Sequence, residues 1–169
     1  MRKLILIILL FCLISLIGIT GNAFALPDLT SYTPSGWSYP VVARTTTGCT
    51  STACTPSSSF TTSNPIYINW AVQNSGSTNI NTTFYTGLYI DGTLKQTWST
   101  SLLSANYFIN VTDYNIGTLS AGSHTIEIRT DTTSAIAESN ESNNTYSFTV
   151  TVSAVAVPDI RIDPTSLTF

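Results

Sequence analysis

An acidic, amide-rich segment holds the side chains of this sequence that are best suited to bind a metal ion. Its candidate ligands all carry oxygen atoms: Asp131, Glu138, Asn140, Glu141, Asn143 and Asn144. If the segment folds back on itself, these hard oxygen atoms converge, and they are the ligands that Ca²⁺ prefers. The spacing is not that of an EF-hand loop, and Asn and Asp also favour turns because their side chains bond to nearby backbone. The sequence therefore predicts either a calcium site, the one cofactor that it suggests, or a structural turn.

His124 is the single histidine of the chain and the obvious candidate for a general base. Such a base needs a nucleophile within hydrogen-bond reach and a carboxylate that orients the ring. The sequence contains no nucleophile-elbow or histidine-pair motif. His124 also follows a glycine-containing turn and alternates in phase with the apolar Ile126 and Ile128. We therefore expect a structural histidine at the start of a strand and a protein that is not an enzyme.

Cys49 and Cys54 lie in a loop-like stretch that is rich in Gly, Ser, Thr and Pro. Two cysteines cannot by themselves supply the four ligands of a structural zinc site. In an exported protein, a pair this close favours a small disulfide loop, with two free thiols as the alternative. We expect the disulfide to stabilise the fold only modestly, because a short loop removes little entropy from the unfolded chain.

Three aromatic residues could form a surface on which a sugar ring stacks: Trp37, Tyr39 and Trp98. The first two lie in a loop-like segment rich in Ser and Pro, and the third lies on a strand that returns from a hairpin. Trp70, in contrast, alternates in phase with three aliphatic residues, which predicts a position in the core. The three candidate aromatics leave carbohydrate binding open as an alternative function.

Residues 1–25 have the order of a secretory signal peptide. A basic start at Arg2 and Lys3 precedes an apolar run over residues 4–19, and Ala23 and Ala25 supply small side chains before a cleavage point at Leu26. The alternative is an uncleaved anchor, but the run is slightly short for the roughly 20 residues that span a membrane. We expect a secreted or cell-surface protein, exported through the general secretory pathway, with no membrane span after cleavage.

The charge of the mature chain excludes one large class of partners. Cleavage removes Arg2 and Lys3 and leaves four basic side chains against nine acidic ones, a formal charge of −5. Nucleic-acid binding needs a basic surface that displaces phosphate counterions, so we expect no nucleic-acid partner. Charged residues make up 9% of the chain, and Thr, Ser and Asn supply the polarity instead. This composition favours a strand-rich exported protein, because β-branched Thr suits the exposed face of a sheet.

Apolar and polar residues alternate with a period of two along the mature chain, and no segment after the signal has helical periodicity. The alternating runs are residues 66–73, 84–91, 94–98, 107–114, 124–129 and 146–152. Turn residues separate these runs, and the lack of crossover helices favours antiparallel pairing. The sequence therefore predicts an all-β protein, an immunoglobulin-like antiparallel β-sandwich of about seven strands that spans residues 26–153.

The C-terminal residues predict the start of a second unit. Residues 154–158 have the composition of a short linker, and Ile160 and Ile162 then alternate with Arg161 and Asp163. A lone strand with unpaired edges is a liability in a native protein. We therefore expect residues 159–169 to be the first strand of a second, truncated β domain.

Five short segments occur in one order along the predicted sandwich. They are LPDL at 26–29, INWAVQNSG at 68–76, LYIDG at 88–92, LSAGSHTI at 119–126 and IAESNESNN at 136–144. Together they resemble the CARDB family, the cell adhesion related domain found in bacteria, although the enlarged loop around Cys49 and Cys54 departs from the family pattern. Residues 158–169 are similar to the opening strand of choice-of-anchor D or related immunoglobulin-like repeats.

The resemblance implies a non-catalytic adhesion or spacer module of a larger secreted or surface protein of several domains. Its partners would be a surface protein or polysaccharide, together with further domains of the same chain. The alternative is a carbohydrate-binding or accessory module of an exported hydrolase whose catalytic domain lies beyond the C-terminus.

Overall fold

The structure, a computed structural model, describes residues 25–156 and contains strands and no helix in that range. Its nine strands are β1 (Leu29–Ser31), β2 (Val41–Arg44), β3 (Phe60–Thr61), β4 (Tyr67–Asn74), β5 (Phe84–Ile90), β6 (Thr93–Thr100), β7 (Phe108–Asn115), β8 (Gly122–Thr130) and β9 (Thr145–Ser153). They form two packed sheets, so the predicted all-β, immunoglobulin-like sandwich is confirmed. The six long strands match the six predicted runs, whereas β1, β2 and β3 are too short for alternation to reveal.

The first sheet is built around β4. β7 pairs antiparallel with β4 along most of its length. β1 and β2 pair with successive parts of β4, β1 with Val72–Asn74 and β2 with Tyr67–Trp70. Because a strand has only two edges, β1 and β2 share the edge that β7 leaves free. The first sheet is thus three strands wide, with β7 on one side of β4 and β1 and β2, one after the other, on the other side.

The second sheet has the strand order β3-β9-β8-β5-β6. All its neighbours are antiparallel except β3, which runs parallel to β9. The sequence predicts antiparallel pairing throughout. β3 departs from it because the chain reaches β3 by crossing from the first sheet after β2, instead of by turning back in a hairpin.

The core fills the space between the two sheets. The alternating row of β4 and the residue before it, Ile66, Ile68, Trp70 and Val72, is at most 1% exposed, as the sequence predicts. It faces apolar residues of β5 and β8, and the Trp70 ring lies 5.1 Å from that of Trp98 between centroids. Truncating one such buried aliphatic side chain to alanine typically costs about 2–5 kcal/mol.

A second, smaller core covers the outer face of the first sheet. Ala71 lies on the outward side of β4 and is nevertheless 1% exposed, because the segment that carries Trp37, Cys49 and Cys54 folds over it. This explains why β4 is buried on both faces although its sequence alternates.

Two predicted segments lie outside the described residues, namely the signal peptide up to residue 24 and the strand predicted at 159–169. The predicted boundaries of the signal peptide, linker and second domain remain predictions. Over the range 25–156, no helix is long and apolar enough to cross a membrane.

Candidate functional site

The acidic segment, residues 131–144, connects β8 to β9 at one end of the sandwich. It packs against the start of the described chain. Ser139 donates its backbone N–H to the carbonyl of Pro27 at 2.9 Å, and Asn143 Nδ2 donates to Asp28 Oδ1 at 3.1 Å. The connection therefore converges on a segment more than a hundred residues away in sequence.

Asp131 holds the first turn of this connection. It is buried and has a left-handed backbone, with a φ of 49°. Its two carboxylate oxygens accept the backbone N–H groups of Ala135 and Ile136, each at 2.9 Å. The bond to Ile136 satisfies a donor that burial would otherwise leave unpaired, at a cost of about 1–3 kcal/mol. Each carboxylate oxygen of Asp131 thus already has a structural partner.

Glu138 ties the connection to the first strand. Its side chain is buried, Oε2 accepts the backbone N–H of Leu29, and Oε1 accepts from Asn144 Nδ2 at 2.7 Å. Burial disfavours the charged form and raises the pKa of Glu138 to about 7, although these two hydrogen bonds act in the opposite direction. The nearby charge of Glu141 adds to the rise. Glu138 therefore changes protonation near neutral pH.

Two more of the predicted ligands shape the same connection. Glu141 Oε1 accepts the backbone N–H of Glu138 at 2.8 Å. Asn140 Oδ1 accepts the hydroxyl and the backbone N–H of Ser142 at 2.6 and 3.1 Å. Bonds of an acidic or amide side chain to backbone two or three residues away are typical of turns.

The hydrogen bonds of this connection are those of a structural turn. Calcium takes roughly six to eight oxygen ligands, carboxylates among them, and here each carboxylate oxygen of Asp131 and Glu138 accepts one N–H donor. Two neutral amide oxygens, those of Asn143 and Asn144, are buried without a partner among the described residues. Within residues 25–156, no group of three or more His, Cys, Asp or Glu side chains is arranged to hold a metal ion. The hydrogen bonds agree with a structural turn, and the calcium site remains a prediction.

Two residues that the sequence analysis did not single out, Asp28 and Asn74, complete this end of the sandwich. Asn74 is fully buried; its Oδ1 accepts the N–H of Asp28 at 3.1 Å. Its Nδ2 donates to the carbonyls of Thr78 and Leu103 at 2.8 and 3.2 Å. Both residues stand in the LPDL and INWAVQNSG segments that carry the family resemblance, which is the signal that could have identified them. They anchor the incoming chain.

His124 lies at the start of β8, beside the hairpin turn at Asp91. Its Nδ1 is 2.7 Å from Asp91 Oδ2, and its Nε2 is 2.9 Å from the carbonyl oxygen of Ser120. The hydrogen bond to Asp91, followed by the one to Ser120, raises the pKa of His124 above its usual value. Because both ring nitrogens face acceptors, the ring is engaged in holding a turn against a strand. This geometry agrees with the structural role that the sequence predicts.

The three aromatic candidates for a sugar platform lie in different surroundings. Trp37 is 7% exposed, and its Nε1 donates to the carbonyl of Thr50 at 2.8 Å. Trp98 packs into the main core against Trp70. Tyr39 is 53% exposed and lies at the rim of a groove. A sugar platform needs exposed rings side by side, and these three side chains do not form one.

Cys49 and Cys54 form a disulfide in the structure, with their Cα atoms 4.9 Å apart. Both are buried together with Trp37 in the smaller core. Asp113 of β7 anchors the loop, because its side-chain oxygens accept the N–H groups of Gly48 and Cys49 at 2.8 and 3.3 Å. The pairing agrees with the sequence prediction, but the loop packs more closely than its composition indicates.

Comparison with known proteins identifies the domain. The family model for CARDB matches residues 49–148, more than half of the chain. CARDB is a family of non-catalytic, adhesion-related domains. No curated protein matches the chain.

Solved structures share the fold. The CARDB domain of a Pyrococcus furiosus protein, solved in complex with di-metal ions, is 23% identical, with a TM-score of 0.58 over 78% of this chain and 98% of that domain. A solution structure of the Pyrococcus domain gives 22% identity and a TM-score of 0.55, over 76% of this chain and 97% of its own.

A third similar structure is residues 272–376 of a Methanosarcina acetivorans protein described as a cell surface protein. It is 21% identical, with a TM-score of 0.53 over 75% of this chain and 92% of that domain. On the match to the family model, with a fold that agrees, the chain belongs to the CARDB family.

Proposed function

We propose that this domain is a non-catalytic adhesion or spacer module that extends a larger exported protein end to end. The observation that carries the proposal is the position of its two ends. The chain enters beside the 131–144 connection, where Leu26 accepts a hydrogen bond from the backbone of Ser77. It leaves at Ser153, which accepts from Thr62.

The two ends are separated by the length of one strand. β9 begins directly after the 131–144 connection and runs nine residues to Ser153. At about 3.3 Å per residue, this strand spans roughly 27 Å. A domain that is entered at one end and left at the other adds its full length to a chain of domains, which is what a spacer requires.

The entry end is held firmly. Asn74 and Ser75 bind the backbone of Asp28, while Glu138 binds Leu29. These bonds join the incoming chain to both sheets, so that tension on the chain is distributed over the sandwich. This property suits an adhesion module as well as a spacer.

A distance measurement tests whether the chain enters and leaves at opposite ends of the domain. Spin labels at Ser77→Cys, beside the entry, and Ala156→Cys, beside the exit, should give a single narrow distance beyond about 25 Å, given the strand length. The native cysteines do not interfere while they are joined as a disulfide. A distance below about 15 Å would overturn the spacer geometry.

Removal of the domain from the intact protein separates spacing from adhesion. Loss of residues 26–153 should shorten the reach of the remaining domains and leave their activities intact if the domain is a spacer. Loss of attachment to a surface, restored by a spacer of equal length without this sequence, would argue against an adhesive role of its own. The carbohydrate-binding alternative is less favoured, because only Tyr39 of its three aromatics is well exposed.

A further inference from the structure

Within the described range, the outer edge of β9 has backbone groups that no other strand pairs. Along one side β9 pairs with β8 over almost its whole length. On the other side, among the described residues, it pairs with β3 only at Val152 and Ser153. Residues 145–151 therefore present a row of backbone N–H and C=O groups without a strand partner, which is a ready template for another chain.

The other long edges of the sandwich carry features that discourage such pairing. β6 has Lys95 and a register shift in its pairing with β5. β7 has a register shift opposite β4 and Asp113 in a left-handed conformation, with a φ of 56°. Charges and bulges of this kind discourage the pairing of an edge strand with another chain. The β9 segment TYSFTVTVS has no charge, no proline and no register shift.

A groove runs beside this edge. It has a volume of about 240 Å³ and is bounded by β2 and β9. Phe148 and Val150 point inward and Thr149 outward, yet all three line the groove, as expected for a groove that follows the strand edge. None of the residues that line the groove carries a charge.

The far wall of the groove is preformed. The chain crosses from the first sheet to the second at this point, and Ser57 donates its N–H to the carbonyl of Ala43 at 3.1 Å. Ser57 Oγ in turn accepts the N–H of Thr45 at 2.9 Å. Phe60 then joins β9 opposite Val152. A ligand that enters this groove need not order these segments, which lowers the entropic cost of binding.

We propose that the free edge of β9 receives an extended, uncharged segment of a partner polypeptide as an added strand. The backbone of that segment would bond to residues 145–151, and one aliphatic side chain would enter the groove. Strand addition takes its affinity from main-chain hydrogen bonds and its specificity from pockets for alternate side chains. This inference rests on the adhesion role proposed above and names the chemistry of its partner.

A second copy of this chain fits the site less well. If two β9 strands paired edge to edge, the inward side chains of each, Tyr146, Phe148 and Val150, would still point into their own core. The groove beside the edge would then remain empty. A free peptide strand has no core of its own, so its inward side chains are available to fill the groove.

Amide hydrogen exchange of the mature protein, followed residue by residue by NMR, tests the proposal. The probe is a nine-residue peptide with both ends capped, in which valine alternates with threonine and a serine stands at each end, so that it carries no charge. At millimolar peptide, the amides of residues 145–151 that point away from β8 should exchange at least tenfold more slowly. Shifts should accompany this at Tyr39 and Phe60. The same peptide with alternate amides N-methylated keeps its side chains, loses donors and should have no effect.

A pair of exposed threonines provides matched variants. Thr149 lies on the free-edged strand, and Thr125 is its register partner on β8. Thr149→Lys should abolish the slowed exchange, while Thr125→Lys should keep it, and both should remain folded because both positions face solvent.

Several results would overturn the proposal. The first two are unchanged amide exchange at β9 and an equal slowing of exchange by the N-methylated peptide. The other two are an equal slowing of exchange at the edges of β6 and β7, and a slowing of exchange at β9 by a soluble disaccharide added instead of the peptide. Protection of the edge that grows with protein concentration alone would assign the edge to self-association. None of these results affects the distance between entry and exit, so the spacer geometry is judged separately.

Discussion

The carboxylate of Glu138 accepts a hydrogen bond from the backbone N–H of Leu29, 109 residues earlier in the chain. It connects the loop before the last strand to the first strand of the sandwich. The loop composition, rich in carboxylates and amides, thus serves to fasten the entering chain.

The pH dependence of stability should report this contact. Burial raises the pKa of Glu138 to about 7 in the folded protein, well above that of an exposed glutamate. The folded state therefore holds the proton more tightly than the unfolded state, so the stabilising contribution is complete below the unfolded pKa and is lost as pH rises through about 7. Thermal melts should show a melting temperature that falls by on the order of 5 °C between about pH 5 and pH 8.

The variant Glu138→Gln isolates this effect. Glutamine keeps an acceptor for Leu29 and does not titrate, so most of the fall in melting temperature over this range should disappear. Glu141→Gln, on the same connection, serves as the control and should leave most of the slope in place. A slope identical in wild type and Glu138→Gln would show that another group is responsible.

His124 should contribute a smaller slope in the same direction. Its pKa is raised chiefly by the hydrogen bond to Asp91, so the stability that it adds is present below its unfolded pKa and lost as pH rises through the folded value. In Asp91→Asn, NMR titration of the ring should give a lower pKa than in wild type. Asparagine tolerates the left-handed backbone at this position, where φ is 50°.

An aspartate elsewhere provides the control for this titration. Asp113 also has a left-handed backbone but binds the loop at Gly48. Asp113→Asn should leave the His124 titration unchanged. If Asp91→Asn did the same, the contact with Asp91 would not be the cause of the raised pKa.

Reduction of Cys49–Cys54 should cost more stability than the length of its loop alone indicates. Closing so short a loop is worth about 2 kcal/mol by chain entropy. Both cysteines are also buried with Trp37 against Ala71, and this packing is lost if the loop loosens. Urea unfolding of oxidised and reduced protein should differ by about 3 kcal/mol, the entropy plus the lost packing.

Truncation of Trp37 in the oxidised protein measures the packing part alone. Trp37→Ala should cost about 3 kcal/mol if the smaller core is a true core, since removal of a buried tryptophan typically costs this much. A loss below about 1 kcal/mol, or a reduced protein as stable as the oxidised one, would mean that the loop is only loosely attached.

Calcium should leave the protein unchanged. The carboxylates of Asp131 and Glu138 accept N–H donors that hold the turn, so we expect the turn to form without an ion. In chelator-treated protein, millimolar calcium should give no binding heat and no shift in melting temperature. A melting temperature that rises with calcium concentration would instead establish a site by mass action, and its loss in Glu138→Gln would locate it.

The long strands could be predicted from the sequence because each has one face in the core. In β4, Ile68, Trp70 and Val72 are buried and alternate with residues of the other face, and this local pattern is enough to identify a strand. β1 and β3, with three and two residues, are too short to carry such a pattern. Their positions depend on which strand edges the rest of the fold leaves open.

The candidate site, too, could be predicted from the sequence only in part. Composition alone located an oxygen-rich connection over 131–144 and a cysteine pair that is close enough to bridge. It could not predict that Leu29 and Asn144 would bond to the oxygens of Glu138, that Trp37 would be buried, or that Trp98 would pack against the core. Alternation and turn chemistry act between near neighbours in the chain, so the sequence by itself determined the strands, their buried faces and the turns. Which donors meet which acceptors, and which edge of β9 lacks a partner among residues 25–156, depends on segments far apart in sequence, and only tertiary packing decided that.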